Sequence, residues 1–327
     1  MAVSLFQDFS NLSGKLIKMK VKIYTLFLLM LISVNLRGQQ RPVLSQYMFN
    51  GLLINPAYAG SLDYLTATAQ VRQQWLNLEG APGTQIVSGH SNIESRPVGV
   101  GAIISNEAIG IHNDFGFYAI YAYRLKMNAG VLHMGVQGGF NNIQSRYADL
   151  NVKHDEAVFS RNTNQFNPNF GTGLYYYTKN SYVGFSVPYI LKRSTVFLVD
   201  ESGLGRQRYS RYYFLTAGHL FRITENFIFK PSTLVRMEEN APVAVDLNAN
   251  VLLEDVVYLG ISFRNFNDLI ALFEIQVNNA IRIGYSYDWG QSELSNFNSG
   301  THEFMVNYRI NIWAPRKHRM CPGPFYF

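Results

Sequence analysis

From residue 64 onward the chain is written in a two-residue rhythm of apolar and polar side chains. Phe115, Phe117, Ala119, Tyr121, Tyr123 and Leu125 share one face of such a segment. Leu132, Met134, Val136 and Phe140 share another, with Gly135, Gln137 and Gly139 opposite. Val243, Val245, Leu247, Ala249 and Val251 stand against Asp246, Asn248 and Asn250, and Phe304, Val306, Tyr308 and Ile310 against Glu303, Asn307 and Arg309. Helical periodicity is weak. A period of two marks strands with one apolar and one polar surrounding, so the expected fold class is all-β. Fourteen segments of this kind start near Tyr64, Thr84, Val98, Phe115, Gly130, Pro168, Tyr182, Arg211, Phe227, Val243, Val256, Leu269, Ile281 and His302.

The lengths between segments narrow the choice. In order, the connections run roughly over 76–83, 91–97, 105–114, 126–129, 141–167, 178–181, 190–210, 224–226, 237–242, 253–255, 264–268, 278–280 and 289–301. Each odd-numbered connection is longer than its even-numbered neighbours. A soluble sandwich has no reason to keep its long loops on one rim. A transmembrane outer-membrane β-barrel has: an even number of antiparallel strands, short periplasmic turns and longer extracellular loops. Closure also removes the sheet edges that lipid cannot satisfy. The expected architecture is therefore a barrel of about 14 antiparallel strands over residues 63–313. No window after residue 38 is apolar for long enough to make a transmembrane helix.

Charged residues within the strand segments then acquire a direction. An Arg or Lys on the lipid face costs up to ~2–4 kcal/mol at the midplane. Arg124, Lys230, Asp246, Glu274, Arg282, Glu303 and Arg309 are accordingly expected to face the lumen, where opposite charges can pair. Arg72, Arg264 and Asp288 lie in strand segments as well, and for Arg72 and Arg264 a strand end near the headgroups is an equal alternative. Pro188 and Pro242 fall at strand ends, where a missing N–H matters least. Pro231 falls inside the ninth segment and demands a bulge or a shifted boundary.

Composition adds two points. There are 21 Tyr against 23 Phe. A dry core favours Phe, so this much Tyr points to half-wet positions such as a membrane-interface girdle. The net charge of +6 belongs largely to the N-terminus. Lys15, Lys18, Lys20 and Lys22 precede the apolar stretch Ile23–Val34, and Gly38-Gln39 offers a cleavage point. Residues 1–38 thus read as a secretion signal, with Met19 as the true start and an upstream extension before it. Without them, 23 of 28 basic and 21 of 22 acidic residues remain, a net of +2, and the argument for nucleic acid disappears. Cys321 is the single cysteine, which excludes an internal disulfide.

Between the signal and the first strand lies SQYMFNGLLINPAYAG, residues 45–60. Met48, Leu52, Leu53 and Ile54 want burial, and the lumen is the nearest place for it. Residues 39–62 are expected to form an N-terminal plug, with Tyr47, Phe49, Asn55, Pro56 and Tyr58 among its side chains. A periplasmic docking strap is the alternative. Asn55-Pro56 stops any short helix, because the residue before proline avoids the helical region.

QYMFN followed by INPAYAG, and then by Arg72-Gln73-Gln74-Trp75, resembles the start of the PorP/SprF family. The similarity continues through Gly99-Val100-Gly101, Leu174-Tyr175-Tyr176-Tyr177 and the tail Cys321-Pro322 to Phe327. The resemblance implies an integral outer-membrane protein of the Bacteroidota type IX secretion system, with a FadL-like barrel and hatch. It also implies a role in secretion and, in gliding bacteria, in the display of surface adhesins. The implied partners are a secreted adhesin bearing a type B C-terminal domain, or periplasmic ring and peptidoglycan-binding components. Outer-membrane lipid and lipopolysaccharide would surround the barrel. The family brings no catalytic or cofactor motif.

Partner-binding candidates lie in the two longest outer connections. They are Arg146, Tyr147, Asp149, Phe159 and Arg161 in 141–167, and Arg193, Phe197, Arg206 and Tyr209 in 190–210. Tyr, Phe and Arg are the types enriched at interface hot spots; the alternative is that these loops fold over and close the barrel. Residues 314–327 are expected to be a periplasmic tail. The seven histidines show no metal-ligand spacing, and no nucleophile–base pair is fixed, so no enzyme, metal or cofactor is expected. The rival reading is a FadL-like channel for small hydrophobic solutes, with a lateral gap near Gly99–Gly101.

Overall fold

The computed structural model describes residues 44–94, 96–149, 162–191, 193–199, 203–209, 211–239, 241–290 and 298–310, with the backbone alone for residues 149, 193–199 and 203–209. Three short 3-10 turns open it: Tyr47–Phe49, Gly51–Leu53 and Pro56–Tyr58. The strands follow as β1 (Leu65–Gln73), β2 (Gly83–Asn92), β3 (Val98–Ile109), β4 (His112–Lys126), β5 (Val131–Ser145), β6 (Thr163–Tyr177), β7 (Ser181–Val187), β8 (Arg193–Val199) and β9 (Gly203–Tyr209). After them come β10 (Tyr212–His219), β11 (Phe221–Thr224), β12 (Phe227–Glu238), β13 (Ala244–Leu253), β14 (Val257–Arg264), β15 (Asp268–Gln276), β16 (Ile281–Trp289) and β17 (Thr301–Ile310).

From β1 to β7 and from β11 to β17 neighbours in sequence pair antiparallel, β7 pairs with β10, β10 with β12 and β1 with β17, so the wall closes on itself. With β10 and β11 counted as one interrupted strand, the ring is a 14-stranded antiparallel barrel. β8 and β9 stand apart as a two-stranded sheet of their own. The connection 190–210 is therefore a hairpin rather than a loop without regular structure.

The wall is uneven in height. β4, β5 and β6 each have 15 residues, more than the ~9–11 a tilted strand needs to cross the hydrocarbon. β7 has only 7. The rim pattern expected from the sequence is corrected in two places. The third connection is just residues 110–111, shorter than its neighbours 93–97 and 127–130. The connection 265–267 is no longer than 254–256. The other long connections, 74–82, 146–162, 188–211 and 290–300, do share one end of the barrel.

Pro231 lies inside β12, and its surroundings accommodate it. β10 pairs with β12 down to Gly218↔Ser232, and β11 resumes at Phe221↔Phe229. The break between β10 and β11 at Leu220 thus falls opposite Lys230 and Pro231. Leu220 spends its amide elsewhere, donating to the Asn180 carbonyl at 2.7 Å. A second irregularity follows between Arg222 and Thr224. A proline that cannot donate to a ladder sits where the ladder is already interrupted.

Alternation sorts the side chains as the period predicts. Val87, Tyr121, Val136, Ile261 and Phe304 point outward and are well exposed, while Gln70, Tyr118, Asn250 and Glu303 point inward and are buried. The buried core of the molecule is the lumen itself.

Candidate functional site

The N-terminal segment supplies the centre of that core. Leu52, Ala57, Tyr58 and Ala59 pack with Ile103, Tyr118, Ile120, Ala122, Tyr175 and Tyr177 of β3, β4 and β6. Tyr47, Met48 and Ile54 pack with Tyr212, Phe214, Leu234, Ile270 and Leu272 of β10, β12 and β15. One short stretch therefore joins opposite sides of the wall. Its local shape follows from Asn55 and Pro56. Asn55 is extended (φ −143°, ψ 113°), and its side-chain Oδ1 accepts the Ala57 amide at 2.9 Å. Pro56 opens the last turn, where its missing N–H is no loss.

Polar contacts fix the segment to the wall along its length. The amides of Ser45 and Gln46 donate to the two carboxylate oxygens of Glu303, at 2.7 and 2.9 Å. Asn50 Nδ2 donates to Gln70 Oε1 and Ser88 Oγ, both at 2.9 Å. Asn248 Nδ2 donates to the Tyr47 hydroxyl at 2.6 Å, and burial pushes that phenol well above its ordinary range, so it stays neutral. Asn55 Nδ2 reaches the Leu174 carbonyl at 2.9 Å, and the Gly60 amide reaches His90 Nδ1 at 3.2 Å.

The wall makes room by leaving out side chains. A Cβ on Gly135 would collide with the backbone of Ala57, one on Gly99 with the carbonyl of Ala59, and one on Gly284 with the Gln46 side chain. Inward strand glycines at a close approach have this use.

The inward charges form two groups. In the first, acids and bases alternate across six strands. Glu303 meets Arg72 (3.1 Å), Arg72 meets Asp288 (2.7 Å) and Asp288 meets Arg264 (3.7 Å). Arg264 then meets Asp246 (3.1 Å), which meets Arg236 (3.3 Å). Arg72 and Arg264, left open between lumen and strand end, both turn inward and are buried. Ser45 is tied into this row: its hydroxyl donates to Asp288 Oδ2 and accepts from Arg72 Nη1, each at 2.7 Å. In the second group, Arg282 pairs with Glu274 at 3.1 Å beside Lys230 and Arg309. Arg309 lies 5.3 Å over the Tyr64 ring. Arg124 stands apart and meets Asp63 at 3.7 Å.

Of the candidates in the outer connections, Arg146 is exposed, whereas Tyr147 is buried against the His112 ring, with centroids 6.1 Å apart. Asp149 ends the 3-10 turn Tyr147–Asp149. Arg193 and Phe197 lie on β8, and Arg206 and Tyr209 on β9, where Arg193 is in register with Tyr209. Phe159 and Arg161 lie outside the described residues, as do residues 1–38, expected to be a signal, and residues 314–327, expected to be a tail. Phe49, half-buried, packs edge-on against Tyr258 at 5.5 Å. Arg236 was not among the expected lumen charges. The signal for it was present, since it falls in phase with Lys230 on β12.

A family model described as type IX secretion system membrane protein PorP/SprF matches residues 36–308. No curated protein matches the sequence. Among solved structures, a Pseudomonas aeruginosa FadL homologue is similar with a TM-score of 0.48 at 10% identity, over 83% of this chain and 95% of that one. The Ralstonia pickettii toluene transporter TbuX gives 0.48 at 7% identity, over 84% and 95%. The Acinetobacter baumannii outer membrane protein Omp33 gives 0.45 at 9%, over 77% and 100%.

Proposed function

The chain belongs to the PorP/SprF family of type IX secretion system membrane proteins, and from that premise we propose that it is a plugged outer-membrane anchor that binds a secreted surface protein rather than a conduit for it. The observation that carries this reading is the filled lumen. Residues 44–62 thread the interior, contribute to both halves of the core, and are bonded to strands around the wall. Residues 39–62 act as the plug in this proposal, with Tyr47, Asn55, Pro56 and Tyr58 seated in the lumen. Partner capture then falls to the outer rim: Arg146, Asp149 and the connection through Phe159 and Arg161, together with the β8–β9 hairpin that carries Arg193, Phe197, Arg206 and Tyr209. A two-stranded hairpin outside any larger sheet has little stability of its own, which suits an element completed by a partner.

The partner this reading expects is an adhesin with a type B C-terminal domain, and the process served is secretion and gliding. Periplasmic ring or peptidoglycan-binding components would attach at the short-turn side. A channel for hydrophobic solutes fits the observations less well. It needs an unobstructed path and a break in the wall, yet β3 pairs without interruption through Gly99–Gly101 with both β2 and β4.

Affinity purification of the tagged protein from native outer membranes in mild detergent, followed by mass spectrometry, tests the proposal. A large secreted protein recovered in stoichiometric amount supports the anchor. Periplasmic components alone would shift it to the secretion machine proper. A barrel that emerges alone with lipid or hydrocarbon in its lumen would favour the channel.

A further inference from the structure

The N-terminal segment has a direction within the lumen. The end of the barrel that carries the long connections 74–82, 146–162, 188–211 and 290–300 is the outer one. Ser45 and Gln46 are fastened there. Their partners Arg72, Asp288 and Glu303 lie within two residues of the strand ends at Gln73, Trp289 and Thr301. Asn50 is held at mid-strand by Gln70 and Ser88. Ala57 then lies against Gly135, near the inner end of β5, and Ala59 against Gly99, at the inner end of β3. The Gly60 amide meets His90 near the inner end of β2. Gly60 has φ +69°, a conformation that glycine adopts at no steric cost. Just beyond it Asp63 reaches Arg124 at the foot of β4, and β1 sets out from Leu65 towards the outer end.

The lengths agree with a full crossing. From Arg72 back to Leu65 is seven residues of strand, ~23 Å at ~3.3 Å each. From Ser45 to Gly60 is fifteen residues, and 3-10 backbone at ~2.0 Å per residue covers ~30 Å, which leaves slack for the bends between the turns. The lumen beside the head of the segment is narrow. A cavity of about 110 Å³ borders Leu44, Tyr47, Leu53 and Ile54, with Ser105 and Tyr212 among its wall residues. Beneath it, Tyr47, Met48 and Ile54 are packed against Phe214, Leu234, Ile270 and Leu272. A chain that turned down again at Leu44 would need a second channel through this packed layer.

We infer that the segment is threaded from the outside inwards: the residues that precede Leu44 leave the barrel through its outer mouth, and the amino-terminal end of the exported chain is presented at the cell surface. Chain order alone suggests the reverse, because a segment ahead of the first strand starts on the side where that strand starts. An end that emerges inside the ring of long connections belongs to the surface met by a molecule arriving from outside. On the anchor reading, on which this last step rests, that molecule is the secreted protein, and the stretch Arg41-Pro42-Val43 joins the rim as a contact for it. Arginine is a type enriched at interface hot spots.

A short epitope placed between Gln40 and Arg41 of the full chain, probed with antibody on intact cells, tests the threading. Epitopes in the outer turn 265–267 and in the inner turn 127–130 mark the two faces, and heat-modifiability on gels shows which variants are folded. The expected result is antibody binding on intact cells at the level of the 265–267 control. Binding only after the outer membrane is permeabilised, as for 127–130, would overturn the inference, and so would an epitope reached from neither side until the barrel is denatured. Val43→Cys on a Cys321→Ser background, labelled with a membrane-impermeant maleimide, is the second variant should the insertion not fold. The contact is tested separately, by replacing Arg41-Pro42-Val43 with glycine and serine and purifying from native membranes. Recovery of the secreted partner should fall while the urea midpoint of the barrel is unchanged; equal recovery removes the stretch from the docking surface. If the unaltered protein recovers no secreted partner, the anchor reading and the contact built on it both fail, whereas the threading is decided by the epitope alone.

Discussion

At the scale of single residues, the interior of this barrel depends on backbone and side chain meeting at close range. Glu303 is the clearest case: it is fully buried, accepts two backbone amides from the segment, and faces Arg72. Removing one member of such a set strands its partners in a dry place. Arg72→Met should therefore cost ~3–5 kcal/mol, read as a lower urea midpoint of the barrel in lipid. A loss below about 1 kcal/mol, the range of exposed pairs, would mean that water reaches the row. Gly135 makes the complementary case. Gly135→Val places a branched side chain on the backbone of Ala57, and overpacking of this kind costs ~1–3 kcal/mol or more. Limited proteolysis should then cut within residues 44–62, while Val136→Ala, on the outward face, leaves the segment protected. Much of this was hidden in the sequence. Inward acids and bases could be placed by phase alone, but which of them would meet could not. The amides of Ser45 and Gln46 carry no side-chain code for the carboxylate they find.

At the scale of elements, alternation located the strands well where they cross lipid and poorly where they leave it. Ser105-Asn106-Glu107 and His112-Asn113-Asp114 look like loop, yet they are the paired upper ends of β3 and β4. Above the membrane the outward face has no reason to be apolar, so the period-two signal fades while the hydrogen-bond ladder continues. The same holds for Thr163-Asn164-Gln165 at the start of β6. This matters for any loop-shaving experiment. A deletion confined to residues 150–161 spares β6 and should abolish partner capture while the barrel still shifts on heating in gels; normal capture by that variant would sink the rim proposal. The N-terminal segment is a testable element as well. Deleting residues 44–62 should raise single-channel conductance in planar bilayers from near zero to a porin-like level. A deletion variant that still conducts nothing would mean that the rim, not the segment, closes the lumen.

At the scale of the molecule, the wall must satisfy lipid outside and a packed, charged core inside. Ile261 is 58% exposed on the outward face of β14, in mid-strand. Ile261→Arg should destabilise the inserted barrel by ~2–4 kcal/mol, measured as the unfolding free energy in bilayers. In detergent micelles, which deform around a charge, the penalty should be smaller.

The joining of Ser45 and Gln46 to Glu303 has a further consequence for biogenesis. The two partners are separated by 257 and 258 positions along the chain, and Glu303 sits on the last strand. A nascent barrel lacking β17 has neither a seam with β1 nor a fastening for the head of the chain. Contacts of such long range form late, because loop closure must precede them. The lumen is thus latched only when synthesis and insertion have both run to the end, and a truncated product remains unlatched and open to periplasmic proteases. The fold carries its own test of completeness.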